Sequence, residues 1–141
     1  MSKSLSDYLS EHKWMTLVVV NIATFLAPLD TGIVVLVLPN IARDFQTGIE
    51  IAIWVSVIYL IILTTFMTSF GRFSDIHGRK KYFVIGLGIF VIGSFFSGMS
   101  QTIAELLIFR IIQAIGAALL LVNSRAIITD AFPPEERRLA M

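Results

Sequence analysis

Residues Gly71–Lys81 read Gly-Arg-Phe-Ser-Asp-Ile-His-Gly-Arg-Lys-Lys and lie between two runs without a charged residue, the 20 residues Ile51–Phe70 and the 18 residues Tyr82–Met99. A helix rises 1.5 Å per residue, so about 20 apolar residues cross a hydrocarbon core roughly 30 Å thick. The segment is therefore a short hairpin joining two membrane helices. It carries Arg72, Arg79, Lys80 and Lys81, four of the chain's 11 Lys and Arg residues. Basic residues are retained on the cytoplasmic side during insertion, which marks this hairpin as inside. Gly71 is expected to let a helix end pack closely against a neighbour. Gly78 is expected to supply the left-handed turn that starts the return path.

Composition agrees with a membrane chain. Of 141 residues, 56% are hydrophobic and 15% charged, against about 25% charged in soluble domains. The net charge of +1 gives no bulk attraction for nucleic acid. Cysteine is absent, which excludes disulfides and cysteine metal sites. His12 and His77 are far apart in sequence and read as incidental, so no metal is expected. No nucleophile with a base, no cofactor loop and no phosphate cradle is visible, so neither an enzyme nor a cofactor is expected.

The fold class expected is all-α integral membrane. A polar segment at 1–13 precedes four spans near 14–38, 51–71, 82–99 and 106–128. Residues 139–141 begin a fifth helix. In the first span Pro28 removes a backbone donor and is expected to loosen the helix, and Pro39 to end it. Trp14 and Trp54 suit the interfacial belt. Thr64, Thr65, Thr68 and Ser69 can return hydroxyl bonds to their own helix. In the third span Gly93/Ser97 and Ser94/Gly98 are small residues four apart, a spacing that permits close helix contact. Inside segments hold Lys3, Lys13, Arg72, Arg79, Lys80, Lys81, Arg137 and Arg138, while outside segments hold Arg43 alone. That asymmetry puts both termini in the cytoplasm of a cell-membrane protein.

Three residues inside the spans carry chemistry. Asp30 lies two residues after Pro28, and an acid in hydrocarbon costs several kcal/mol unless it faces protein or a wet cavity. A loosened helix beside an acid is a place where transporters bind solutes or ions. Arg110 lies deep in the fourth span, whereas Arg125 is near its inner end and reads as a snorkelling, topological residue. Gln113 follows Arg110 by three positions on the same helical face. Counting along the helices sets Asp30 and Arg110 in the outer half of the membrane, about 6 Å apart in depth, with Gln113 near the Asp30 level. Burial opposes the charged form of a carboxyl and a neighbouring guanidinium favours it. Asp30 is therefore expected to trade a proton as its distance from Arg110 changes. A fixed structural pair is the plainer alternative.

Gly71, Asp75, Gly78, Arg79 and Lys80 match Gly-x-x-x-Asp-x-x-Gly-Arg-Lys/Arg without a gap. This resembles the loop between helices 2 and 3 of the major facilitator superfamily of secondary transporters. Arg110-x-x-Gln113-Ala114-x-Gly116-Ala117 is similar to the family's helix-4 motif, with Ala114 where glycine is usual. That departure implies a less intimate helix contact there. The Pro133–Arg138 stretch resembles the helix 4–5 loop. Leu29-Asp30-Thr31 through Pro39 resembles helix 1 of the 14-helix drug:proton antiporters, departing at Gly32, Val35 and Val37.

The resemblance implies a pathway between two six-helix halves, of which this chain supplies four helices. It is expected to be the N-terminal part of an exporter of drugs or other small toxic compounds, whether as a fragment, a truncated reading frame or one piece of a split gene. Transport of a sugar, organic acid or siderophore, or a non-transporting four-helix scaffold, are the alternatives. The expected partners are the lipid bilayer, a small-molecule substrate, protons and the remaining transporter helices. The resemblance also implies a gate in which Asp75 reaches a basic group on the opposite half. Arg79 would reach an acid at the inner end of helix 4, a position Asp130 occupies, and either Arg79 or Lys80 is expected within ion-pair reach of it.

Overall fold

The computed structural model describes residues 5–131, with side chains described over 15–130. The order is α1 (Leu5–Asp44), α2 (Ile49–Ala52), α3 (Trp54–His77), α4 (Arg79–Met99) and α5 (Ile103–Ala131). No strand occurs among the described residues. The one-turn α2 runs into α3 through Ile53, and Ile49–His77 forms one span. Four helices are thus long and apolar enough to cross a membrane. The expectations for residues 1–4, for Pro133–Arg138 and for 139–141 fall outside the described residues, as does the side chain of Trp14.

α5 is the centre of the bundle. Half of its membrane window is buried, against 22%, 17% and 22% for the other three spans in chain order. Its sequence explains why. Ala114, Gly116, Ala117 and Ala118 keep its surface small on more than one side, so neighbouring backbones approach closely. All three alanines are wholly buried. The tightest seam is with α4. A Cβ on Gly116 would lie 2.4 Å from the Phe90 backbone nitrogen, and one on Gly93 would lie 2.8 Å from the backbone nitrogen and Cα of Gln113. These glycines, with Gly86 against Gly116 and Leu119, carry the contact. Gly98 has open space around it, so the pairing of Ser94 with Gly98 is not the seam.

Two apolar clusters flank the polar centre. The larger joins Val20, Ala23, Ala27, Tyr59, Phe83, Phe90, Leu120 and Ile127. The smaller joins Val34, Val55 and Leu106, with Ile41 and Phe45 packed against it. Large side chains such as Ile22, Phe25, Leu36, Val84, Phe95 and Ile108 point outward, as a lipid solvent permits.

Helix ends differ from expectation in instructive ways. α1 passes through both Pro28 and Pro39 without a break. In hydrocarbon each further unpaired backbone group costs several kcal/mol, so losing one bond at a proline is cheaper than ending the helix. Beyond Pro39 the helix also keeps Ile41 and Phe45 on the smaller cluster. It stops at Gln46, which takes φ +50°. Gln46 N–H donates to the Arg43 carbonyl at 3.2 Å and Thr47 N–H to the Ala42 carbonyl at 2.9 Å, the two bonds of a Schellman cap. The connection to α2 is correspondingly short.

The basic hairpin is also tighter than expected. α3 continues to His77 and α4 starts at Arg79, so Gly78 alone forms the joint, at φ +103°. Only glycine adopts that backbone readily. Gly71, by contrast, is not sterically required: a Cβ there would meet Val122 at an ordinary 3.5 Å. α5 opens on a variant of the capping box, in which the glutamate reaches the residue before the cap. Thr102 Oγ1 accepts from Glu105 N–H at 3.2 Å, and a Glu105 carboxylate oxygen accepts from Gln101 N–H at 2.9 Å. Thr64 and Thr65 donate to the carbonyls of Leu60 and Ile61 within α3, so their hydroxyls are satisfied without a partner on another helix.

Candidate functional site

Asp30 on α1 meets Arg110 and Gln113 on α5 in a closed triangle. Arg110 Nη1 donates to Asp30 Oδ2 at 2.5 Å and to Gln113 Oε1 at 2.8 Å, while Gln113 Nε2 donates to Asp30 Oδ1 at 3.0 Å. Each carboxylate oxygen thus receives one donor, and both ends of the Gln113 amide are used. The side chains of Arg110 and Asp30 are 5% and 21% exposed, so this is a largely buried ion pair. Such a pair is stable only if its remaining polar atoms are satisfied, and the glutamine does most of that work. Gly93 explains how Gln113 is held, since the α4 backbone presses directly on the Gln113 backbone there.

Tyr59 on α3, which carries no signal in the sequence beyond an aromatic residue in an uncharged run, completes the surroundings. Its ring lies 5.5 Å from the Arg110 guanidinium carbon, within cation–π range, and its hydroxyl is buried without a hydrogen-bond partner. Arg110 Nε is likewise buried and unpartnered. The ring face therefore supplies part of what the guanidinium loses on leaving water. A cavity of about 510 Å³ opens from this triangle, lined by Asp30, Arg110, Gln113, Ser94, Ser97 and, at the end of α1, Asp44. Its chemistry suits water and a proton more than an apolar ligand. Among the described residues no cluster of His, Asp or Glu is placed to hold a metal.

At the other end of the bundle, Arg79 sits just after the Gly78 joint and bridges two acids. Its Nε donates to Asp75 Oδ1 at 2.8 Å, and its Nη1 donates to both carboxylate oxygens of Asp130 at 3.2 and 3.1 Å. The first bond links α3 to α4 across the joint, and the second ties both to the end of α5. A carboxylate at a helix C-terminus opposes the helix dipole, and the guanidinium offsets that cost. These groups are open to water: the side chains of Arg79, Asp75 and Asp130 are 33%, 55% and 64% exposed. Lys80 is exposed and lines an apolar cleft against α1 and α5, forming no ion pair among the described residues. Asp75, which the resemblance aimed at the opposite half, is here held by Arg79. The structure thus gathers the sequence-derived residues into two groups, Asp30, Arg110 and Gln113 in one and Asp75, Arg79 and Asp130 in the other.

Comparison with known proteins adds the family. Over 131 residues the chain is 34% identical to the riboflavin transporter RibZ of Clostridioides difficile, covering 93% of this chain and 29% of that protein. It is 40% identical over 112 residues to multidrug resistance protein 3 of Bacillus subtilis, covering 79% of this chain and 22% of that protein. It is 33% identical over 124 residues to the multidrug resistance protein Stp of Mycobacterium tuberculosis, covering 88% and 23%. The chain thus spans between a fifth and a third of the length of these relatives. No solved structure matches it significantly. The family model described as Major Facilitator Superfamily matches residues 20–141, and with four membrane-spanning helices the chain is a multi-pass membrane protein that belongs to that superfamily.

Proposed function

We propose that this chain is the N-terminal part of a secondary active transporter that exports drugs or other small toxic compounds in exchange for protons. It is a transporter part and not an enzyme. Both termini are cytoplasmic, and the protein resides in the cell membrane. The observation that carries this reading is the Asp30–Arg110–Gln113 triangle inside a membrane bundle. An intramembrane carboxylate held by a guanidinium is expensive to bury, and such groups mark ion and solute pathways. When Asp30 takes a proton it loses its hold on Arg110, so protonation is linked to the α1–α5 contact. Asp30, Arg110 and Gln113 act as the coupling group. Gly71, Asp75, Gly78, Arg79, Lys80 and Asp130 form the cytoplasmic gate, whose charges are released when the bundle tilts. The distribution of basic side chains supports the orientation, with Arg72, Arg79, Lys80 and Lys81 at one end of the spans and Arg43 at the other. Relatives named as multidrug resistance proteins support the export of drugs. A second reading, transport of another small solute, is favoured by the riboflavin transporter, which aligns with 93% of this chain.

The test uses the complete transporter in inverted membrane vesicles. Accumulation of ethidium is expected to require an imposed pH gradient and to stop when a proton ionophore collapses it. Accumulation that survives the ionophore contradicts proton coupling. A transporter that moves riboflavin and no toxic dye supports the second reading.

A further inference from the structure

A second polar region lies on the cytoplasmic side of the triangle, and the coupling site does not use it. α1, α3 and α5 enclose a groove of about 660 Å³ lined by Asn21, Thr24, Met67, Ser124 and Arg125, among others. Asn21 and Thr24 are three apart and share one face of α1, as Leu121, Ser124, Arg125 and Ile128 share one face of α5. Asn21 lies nine residues before Asp30, about 13 Å toward the cytoplasmic end. Arg125 lies five residues before Asp130, about 7 Å inside the level of the Arg79 pair. The groove is therefore within the membrane yet lined by an amide, two hydroxyl residues and a guanidinium. Hydrocarbon does not tolerate such a lining, whereas a solute pathway requires one.

The charge in this groove has one sign. None of its lining residues is an acid, and Arg125 forms no ion pair among the described residues. The hydroxyl of Thr24 is spent on the Val20 carbonyl at 2.6 Å and that of Ser124 on the Leu121 carbonyl at 2.9 Å. Both oxygens still accept, but their donors are taken. The unspent donors are the guanidinium of Arg125 and the amide of Asn21, which has no side-chain hydrogen bond among the described residues. A planar guanidinium with an amide nearby suits a carboxylate or similar oxyanion, which accepts in pairs. A purely cationic solute would meet repulsion here.

We propose that this groove is a solute subsite in which Arg125 recognises an oxyanion. The transported class then includes anionic or amphoteric small molecules, and a simple cation is held away from Arg125. The proposal rests on the reading of the chain as part of a transporter and names the solute class for it. It also revises the reading of Arg125 as a purely topological charge.

The test measures equilibrium binding to the purified complete transporter by fluorescence anisotropy, with fluorescein as a carboxylated anionic probe and ethidium as a cationic one. Wild type is expected to bind fluorescein saturably. Arg125→Gln should weaken it about tenfold or more, the loss of one charge-assisted pair, while ethidium binding is unchanged or tighter. Arg125→Lys should fall between, since an ammonium keeps the charge and loses the fork. If Arg125→Gln gives no folded protein, Arg125→Lys is read alone, and unchanged fluorescein binding by it overturns the proposal. Absence of fluorescein binding by wild type, unchanged binding by Arg125→Gln, or equal loss of both dyes also overturns it. Binding needs no transport. Arg125-dependent fluorescein binding by a transporter that ignores pH gradients would sink proton coupling and leave the subsite standing.

Discussion

Two ion networks hold this bundle, one buried between α1 and α5 and one at the open end beside the Gly78 joint, and they are built from the same chemistry. Each uses an arginine that bonds two partners and joins helices far apart in sequence, Arg110 to Asp30 and Gln113, Arg79 to Asp75 and Asp130. They differ in exposure. The Arg110 side chain is 5% exposed and the Arg79 side chain 33%. In low dielectric a pair is strong and its breakage leaves an uncompensated charge. At the surface a pair contributes about 0–1 kcal/mol and is screened by salt. The buried network therefore carries much of the stability at the α1–α5 contact, and the exposed one is cheap to open and close.

Substitutions in the two networks should differ in cost by several kcal/mol. The largest effect is expected for Arg110→Gln, which strands Asp30 in the bundle without its cation. A loss of roughly 3–5 kcal/mol is expected, read as a lowered unfolding midpoint of the complete transporter in detergent. Gly93→Ala comes next. Its methyl would press on the Gln113 backbone at 2.8 Å, and such overpacking costs about 1–3 kcal/mol. It should disturb the buried network and leave the Arg79 network intact. The smallest effect is expected for Asp130→Asn, within about 1 kcal/mol of wild type and smaller still at high salt. Its transport rate should change more than its stability. A stability loss for Asp130→Asn equal to that for Arg110→Gln would erase the distinction between the two networks.

The two networks were also unequally legible in sequence. The spacing of Gly71, Asp75, Gly78 and Arg79 between uncharged runs is a local pattern, and the positive φ at Gly78 follows from it. Asp30 and Arg110 stood out because charge inside an apolar span is rare, and helical rise alone brought them to similar depth. Gln113 followed from its spacing of three. What could not be read were contacts that depend on helix rotation. Tyr59 looks like any aromatic residue in an uncharged run until α3 is seen turned toward Arg110. Gly93, one of the small residues the sequence offers, does meet α5, but the other close approach on α4 is at Gly86, seven before it, and Gly98 meets nothing. α1 runs on through Pro39 because of the packing of Ile41 and Phe45, a tertiary gain that local proline chemistry does not contain. The Gln46 cap was hidden because a residue with a side chain takes a backbone usually given to glycine.

The central claim is that Asp30 exchanges a proton during transport and is more than one arm of a fixed pair. It is tested most directly by Asp30→Asn in the complete transporter, reconstituted in vesicles with an imposed pH gradient. Asparagine keeps the size and one acceptor for Arg110 but cannot cycle a proton. The variant is expected to insert at wild-type levels, bind solute, and show no transport response to the gradient. Folded Asp30→Asn that transports with the wild-type dependence on pH would contradict it.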